Sequence, residues 1–262
     1  MEAIRSQIID ALVKIVKPKS ILLKNDSSIR KVEGLSLSVS TAFGEPPDTI
    51  EIIENDVHMI APLLKGQKTG WFYDHRLNRA KLKPYVAGKR VLDIFSYVGS
   101  FSIQAATFGA REIWAVDASR TALEYAEENA RLNKVADTFT GAHGDCFDVL
   151  HGLREENEKF DVIVIDPPAF IKRKKDHQQG LRAYRRINSF ALGLLNPSGI
   201  LLSASCSMHL KREELVDVLR SSSLKQKRHL QILEEGHQGP DHPIHPAMPE
   251  TRYIKAFLAA VS

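Results

Sequence analysis

Four successive apolar runs end in an acid: Asp93 in VLDIF, Asp117 in IWAVD, Asp145 after GAHG and Asp166 in VIVIDPPAF. A fifth, GILLSASC, ends in Cys206 between Ser205 and Ser207. Carboxylates at such ends accept hydrogen bonds from hydroxyls and amines, and a thiol there is either a core side chain or a nucleophile. Asp117 lies eighteen residues after Gly99, close to where an acid accepts from ribose hydroxyls. An Asp after a strand also serves simply to cap the next helix. Asp145 repeats the logic for an exocyclic amine, with Phe147 able to cover an adenine face. Pro167 and Pro168 fix two φ angles and force Asp166 into an extended conformation, which suits recognition of a planar base edge; the plainer reading is that Pro-Pro ends a strand.

The loop after the first run holds Phe95, Ser96, Tyr97, Gly99 and Ser100. One glycine among bulky neighbours is not G-x-G-x-x-G, so a pyrophosphate has little room and a nicotinamide dehydrogenase is disfavoured. Between Lys172 and Arg186 seven basic residues, including Lys172, Arg173 and Lys174, face one acid, Asp176. The run reads either as a solvated loop or as a grip on a polyanion. Cys146 and Cys206 make neither a disulfide framework nor a metal-ligand spacing. His237, His242 and His245 lie in a Pro-rich loop without an acidic or thiol partner, so no metal is expected.

Positioning these residues requires alternating elements. Strands are expected at RVLDIF, EIWAVD, TFTGAHG, DVIVID, GILLSASC, HLQILEE and RYIKAFLAAV, with helices between them such as RTALEYAEENARLN, capped by Ser119. This predicts an α/β fold: a seven-stranded, mostly parallel sheet whose last two strands form an antiparallel hairpin. Residues 1–67, with the helix IIDALVKIV and the β-like runs SILLK, LSLSVS and DTIEIIENDVHMIAPL, read as a small α+β appendage; 68–262 form the main domain. Ordinary composition, a net charge of +4 and no run of eighteen apolar residues predict a cytoplasmic protein. Oligomeric state is left open, a homodimer included.

Taken together, VLDIFSYVGSF, VDAS, GD, DPPAF and SASCS resemble the class I S-adenosylmethionine (SAM) dependent methyltransferases, specifically the bacterial large-subunit rRNA cytosine-C5 methyltransferase I family. IRKVEGL, GQKTGWFYDHRLNR and DHPIHPAMPETRYIKAF extend the likeness over nearly the whole chain. Two departures are visible: Gly99-Ser100 stands where the family more often has Gly-Gly, and the RNA-binding PUA domain expected at the N-terminus is missing, so the resemblance does not supply the exact RNA. It implies a Rossmann-like methyltransferase sheet and SAM as cofactor, with Thr69, Asp93, Phe95, Ser96, Gly99, Asp117, Asp145, Phe147 and Asp166 around it. RNA, specifically rRNA, would be the partner. It further implies that Cys206 is the nucleophile that adds to cytosine carbon 6, with Asp166 on the base edge, Pro167 and Phe170 beside it and Lys172, Arg173 and Lys174 on RNA. KTGWFYDHR would close over SAM, with Asp74 near it and Arg76 or Arg79 available to a carboxylate or phosphate. Cys146 matches no catalytic position. Two alternatives stand beside this reading: an exocyclic-nitrogen methyltransferase, which needs no thiol and places an aromatic residue where Ala169 stands, and a catalytically silent RNA-binding protein, which would not need Asp166 or Cys206.

Overall fold

The computed structural model describes residues 2–64, Gly66 and 70–262. They fall into two compact units, one within Met1–Glu51 and Ala61–Trp71, the other formed by Ile52–Ile60 and Phe72–Ser262. The expected boundary, between residues 67 and 68, falls outside the described residues.

In the first unit, helix α1 (Arg5–Val16) ends at Lys17, which takes a left-handed conformation (φ 52°) just before Pro18, where a helix cannot continue. Strand β1 (Ile21–Asn25), the short α2 (Ile29–Val32) and β2 (Ser38–Phe43) follow, with β1 and β2 antiparallel. The long apolar run after them is two strands, β3 (Thr49–Glu54) and β4 (Val57–Pro62), of which Ile52–Ile60 count with the second unit. Asn55 and Asp56 break it, both at positive φ (54° and 64°), as a two-residue hairpin turn requires.

The second unit adds α3 (Arg76–Ala80), β5 (Arg90–Ile94), α4 (Ser100–Thr107), β6 (Glu112–Asp117), α5 (Arg120–Leu132), β7 (Phe139–His143), α6 (Cys146–Glu155) and β8 (Phe160–Ile165). Next come α7 (His177–Leu194), β9 (Leu195–Ser205), α8 (Arg212–Lys225), β10 (Leu230–Gly236) and β11 (Lys255–Val261). The seven strands β5 to β11 form one sheet in the order β10-β11-β9-β8-β5-β6-β7. Pairs among β5 to β9 are parallel, and β11 runs antiparallel between β9 and β10. Both faces are covered, which is why β8 is apolar at every position after Asp161: Ile163 and Ile165 pack towards α6, α7 and α8, Val162 and Val164 towards α4. Ser119 caps α5, its Oγ accepting from Ala122 N at 3.2 Å. Strand order reverses between β5 and β8, and in open sheets of this kind the crevice beyond the carboxyl ends at that reversal is where ligands bind.

Candidate active site at the carboxyl ends of the strands

The loop between β5 and α4 is held in a strained form. Phe95, Tyr97 and Gly99 have φ of 69°, 50° and 81°, a conformation that costs non-glycine residues roughly 1–3 kcal/mol each. Fixed hydrogen bonds impose it: the N–H groups of Phe95 and Ser96 both donate to Val116 O (2.9 and 3.0 Å), and Tyr97 N donates to Asp117 Oδ2 at 2.9 Å. Asp117 Oδ1 accepts from Ser119 N at 2.8 Å, so this one carboxylate shapes both the loop and the start of α5. Gly99 is needed for packing as well as for φ: a Cβ there would meet Ala126 Cβ and Ile103 Cγ1, both at 3.1 Å.

Asp93 is buried, and its Oδ2 accepts from Ser102 N (3.0 Å) and Ser102 Oγ (2.5 Å), which satisfies the N-terminus of α4. Burial pushes its carboxyl up to about 7, with the Ser102 hydrogen bonds pulling the other way and the charges of Asp166 and Asp117 adding to the rise. Asp145 caps α6 by accepting from Phe147 N at 2.9 Å. The Arg186 guanidinium lies over the Phe147 ring at 4.2 Å, so one face is already occupied. Cys146 is buried, and desolvation, with the Asp145 charge, pushes its thiol up to about 12, which makes it inert.

Asp166 and Cys206 follow adjacent strands, for Ile165 pairs with Ser203. The serines that flank Cys206 are fully buried and fasten its turn. Ser205 Oγ hydrogen-bonds Tyr184 Oη at 2.8 Å and accepts from Ser207 N at 3.1 Å, while Ser207 Oγ donates to Ile171 O at 2.7 Å. The last bond ties the cysteine turn to the segment carrying Asp166, Pro167 and Phe170. Cys206 itself is partly exposed, and Phe170 packs on Tyr184 (4.9 Å) and edge-on to Phe95 (6.1 Å). Pro167 is buried, whereas Lys172, Arg173 and Lys174 are exposed immediately beyond Ile171. Arg173 is engaged by Asp176 at 2.8 Å. Thr69 lies outside the described residues.

Three residues of this neighbourhood escape a reading by strand ends. His75 is buried, and its Nε2 stands 3.3 Å from Asp166 Oδ1 without a hydrogen bond, while Nδ1 meets Asn78 Nδ2 at 3.1 Å. Tyr253 Oη donates to Asp74 Oδ2 at 2.9 Å; burial, followed by the Asp74 charge, drives this phenol well above its ordinary value. Lys255 opens β11 opposite Ser205 and donates from Nζ to Ser207 O at 2.6 Å. Its burial lowers the ammonium to about 8, against the pull of Cys206 and Glu214. The one signal in the text was a lysine starting the otherwise apolar strand KAFLAAV. Arg79, by contrast, is not available to a phosphate: it is buried and bound through Nε and Nη2 to Glu54 (2.5 and 2.9 Å) and to Phe72 O (2.8 Å). Arg76 pairs with Asp241 at 3.2 Å. Asp74 Oδ1, Asp93 Oδ1, Ser96 Oγ and His75 Nε2 are buried polar atoms with no hydrogen-bond partner among the described residues. Among those residues no cluster of three His, Cys, Asp or Glu side chains could hold a metal.

The profile of the S-adenosylmethionine-dependent methyltransferase family matches residues 36–250. The chain is 36% identical over 259 residues to the ribosomal RNA large subunit methyltransferase I of Klebsiella pneumoniae and 39% identical over 259 residues to that of Shewanella frigidimarina. Each match covers 98% of this chain and 65% of the relative, so the chain spans about two thirds of their length. The crystal structure of the methyltransferase SMU.776 complexed with SAH superposes with a TM-score of 0.85 at 23% identity, over 99% of this chain and 66% of that one, a likeness of fold. With most of its length matched by that profile, the chain belongs to the S-adenosylmethionine-dependent methyltransferase family.

Proposed function

We propose that the chain methylates carbon 5 of a cytosine in ribosomal RNA, with SAM as methyl donor and Cys206 as a transient covalent nucleophile. The observation that carries this reading is that Asp166 and Cys206 follow adjacent strands whose ends are tied by the bond from Ser207 Oγ to Ile171 O, one bearing a carboxylate and the other a partly exposed thiol. The relatives' name supports the RNA, and the SAH in a neighbour of the same fold supports the cofactor. An rRNA substrate places the protein in the cytoplasm; no described helix is long and apolar enough to cross a membrane.

The residues fit SAM. Its ribose hydroxyls, ammonium and exocyclic amine are donors, and the crevice offers acceptors: Asp117 to the ribose, Asp145 to the adenine amine, and the unpartnered Asp93 Oδ1 and Ser96 Oγ beside the strained loop. Phe95, Gly99 and Phe147 would line the same site, and Thr69 is assigned to it by resemblance. When bound, SAM supplies an electrophilic methyl group on a sulfonium. The protein's part is to make cytosine able to accept it. The Cys206 thiolate adds to carbon 6, forming an Sγ–C6 bond and leaving carbon 5 enamine-like. Asp166 hydrogen-bonds the ring edge and stabilises the protonated adduct. Once carbon 5 carries the methyl group, loss of its proton to a base drives the electron pair back, the Sγ–C6 bond breaks and the thiolate returns.

Cys206→Ala should retain SAH binding by calorimetry yet lose methyl transfer by about a thousandfold or more. Wild type should form a covalent complex with RNA carrying 5-fluorocytosine, from which no proton at carbon 5 can leave. Normal turnover by Cys206→Ala, or nucleoside mass spectrometry placing the methyl group on an exocyclic nitrogen, would overturn the reading.

A further inference from the structure

The basic run of 172–186 is one stretch of sequence but two surfaces. Lys172–Lys175 lie beside the Asp166 segment, whereas Arg182, Arg185 and Arg186 sit on α7, where three- and four-residue spacings put them on one face. Arg186 is nine residues along α7 from its start, about 14 Å at the rise of a helix. There the three arginines meet Arg154 from the last turn of α6 and Lys225 from the last turn of α8, around an open groove of about 440 Å³ with no carboxylate among its lining residues.

Cations in a last turn answer the carbonyl end of their own helix, and that accounts for Arg154 and Lys225 singly. It does not account for Arg182, Arg185 and Arg186, which stand in the first ten residues of the eighteen-residue α7. The acids nearby are limited. Asp217 accepts from Arg185 (3.1 Å) and Arg220 (2.5 Å), and Glu214 meets His177 (2.9 Å). Arg154, Arg182 and Lys225 make no ion pair with any described residue. The floor is polar and already ordered: Gln226 Nε2 donates to Ser189 Oγ at 2.8 Å, and Ser222 Oγ to Arg185 O at 3.2 Å. With Asp217 answering only Arg185, the remaining convergent cations repel one another unless a further anion lies among them. With only Phe190 as an aromatic, half-buried, the groove is built for phosphates and not for stacked bases.

We infer that the groove between α6, α7 and α8 binds the phosphodiester backbone of the RNA, at phosphates flanking the nucleotide that reaches Asp166 and Cys206. This rests on RNA being the substrate, as proposed above.

The test uses the whole chain with Arg154, Arg182 and Lys225, none of them part of the catalytic crevice, changed together to Gln. Affinity for a fluorescent rRNA-derived hairpin is measured by anisotropy from low to moderate salt. Each lost phosphate contact removes roughly 0.7–0.9 from the slope of log affinity against log salt, so the slope should flatten by about two units while SAH affinity stays unchanged. An Arg154→Lys, Arg182→Lys variant should keep the wild-type slope, because phosphates need charge and not a particular side chain. An unchanged slope in the triple variant overturns the groove alone, provided wild type still forms the 5-fluorocytosine adduct. Saturable binding of inorganic tripolyphosphate, lost in the variant while RNA binding is intact, overturns it in favour of a free polyphosphate. Wild type that binds no RNA removes both the groove and the RNA reading, whereas a flattened slope without methylation at carbon 5 upholds the groove and removes only the chemistry.

Discussion

Two ionisable side chains, Asp93 buried and Lys255 half-buried, decide how the crevice responds to pH. Asp93 moves from an ordinary value near 3.8 to about 7 in the fold. Between those limits the folded state keeps a proton that the unfolded chain has released, so the stability from this group is complete below about pH 4 and is lost as pH rises through 7. Asp93→Asn cannot ionise, and its amide oxygen still accepts from Ser102. Its urea-denaturation stability should therefore be flatter between pH 5 and pH 8, and exceed wild type near pH 8 by about 2–4 kcal/mol. Lys255 acts on the other side of the crevice. Its ammonium, on the carbonyl of Ser207 and beside Cys206, favours the thiolate. Lys255→Met should slow alkylation of Cys206 by iodoacetamide about tenfold near pH 7, and Lys255→Arg should not. The ratio of wild type to Met variant should shrink as pH rises through about 8, where Lys255 sheds its own proton. Cys146, buried and pushed up to about 12, is the silent control in the same protein.

At the scale of elements, the loop of residues 95–99 is pinned from two directions: Asp117 holds the Tyr97 N–H, and α5 closes on Gly99. Gly99→Ala both forces a Cβ into the left-handed region and pushes it against Ala126 and Ile103 at 3.1 Å. The cost should be about 1–3 kcal/mol in urea denaturation, with SAH affinity falling as the loop moves. Strand β4 of the β3–β4 hairpin is fastened to the same helix. Asn129, fully buried on α5, accepts from Ile60 N (2.6 Å) and donates to Ile60 O (3.1 Å) and Val98 O (3.0 Å). One amide thus braces the hairpin and the loop together, and its loss leaves three backbone groups unsatisfied. Asn129→Ala should cost about 2–4 kcal/mol and raise hydrogen exchange at Ile60.

For the molecule as a whole, what could be read from the text follows from which forces are local. Parallel strands buried on both faces leave apolar runs, so β5, β6, β8 and β9 were legible with the residues at their ends, while the exposed edge strand β7 was marked instead by its place between two helices; the final antiparallel hairpin was legible too. The placing of β11 between β9 and β10 was not read, although KAFLAAV, apolar throughout after its lysine, carries the mark of an interior strand beside the mixed LQILEEG at the edge. Through that insertion Lys255 comes opposite Ser205 and Tyr253 reaches Asp74, 179 residues away. Arg79 misled for a related reason: a cation in a polar stretch reads as surface until Glu54 is seen to bury it. The glycine loop was legible as a reason against pyrophosphate, and the geometry gives it a cause, since the single glycine spends its missing side chain on α5 and not on a ligand. That difference sets the last expected outcome. A ligand that binds only the folded state stabilises it by about 2.7 kcal/mol at a hundred times its Kd, and a fold of this size gains about 2–4 °C in Tm per kcal/mol. SAH at that concentration should raise the Tm by about 5–10 °C, and NAD at equal concentration should leave it unmoved. Asp117→Ala, which releases the N–H groups of Tyr97 and Ser119, should lower the Tm of the free protein and shrink the SAH shift in the same scan. A loss of SAH shift with no change in the free protein would assign Asp117 to the ligand alone and remove its part in shaping the loop.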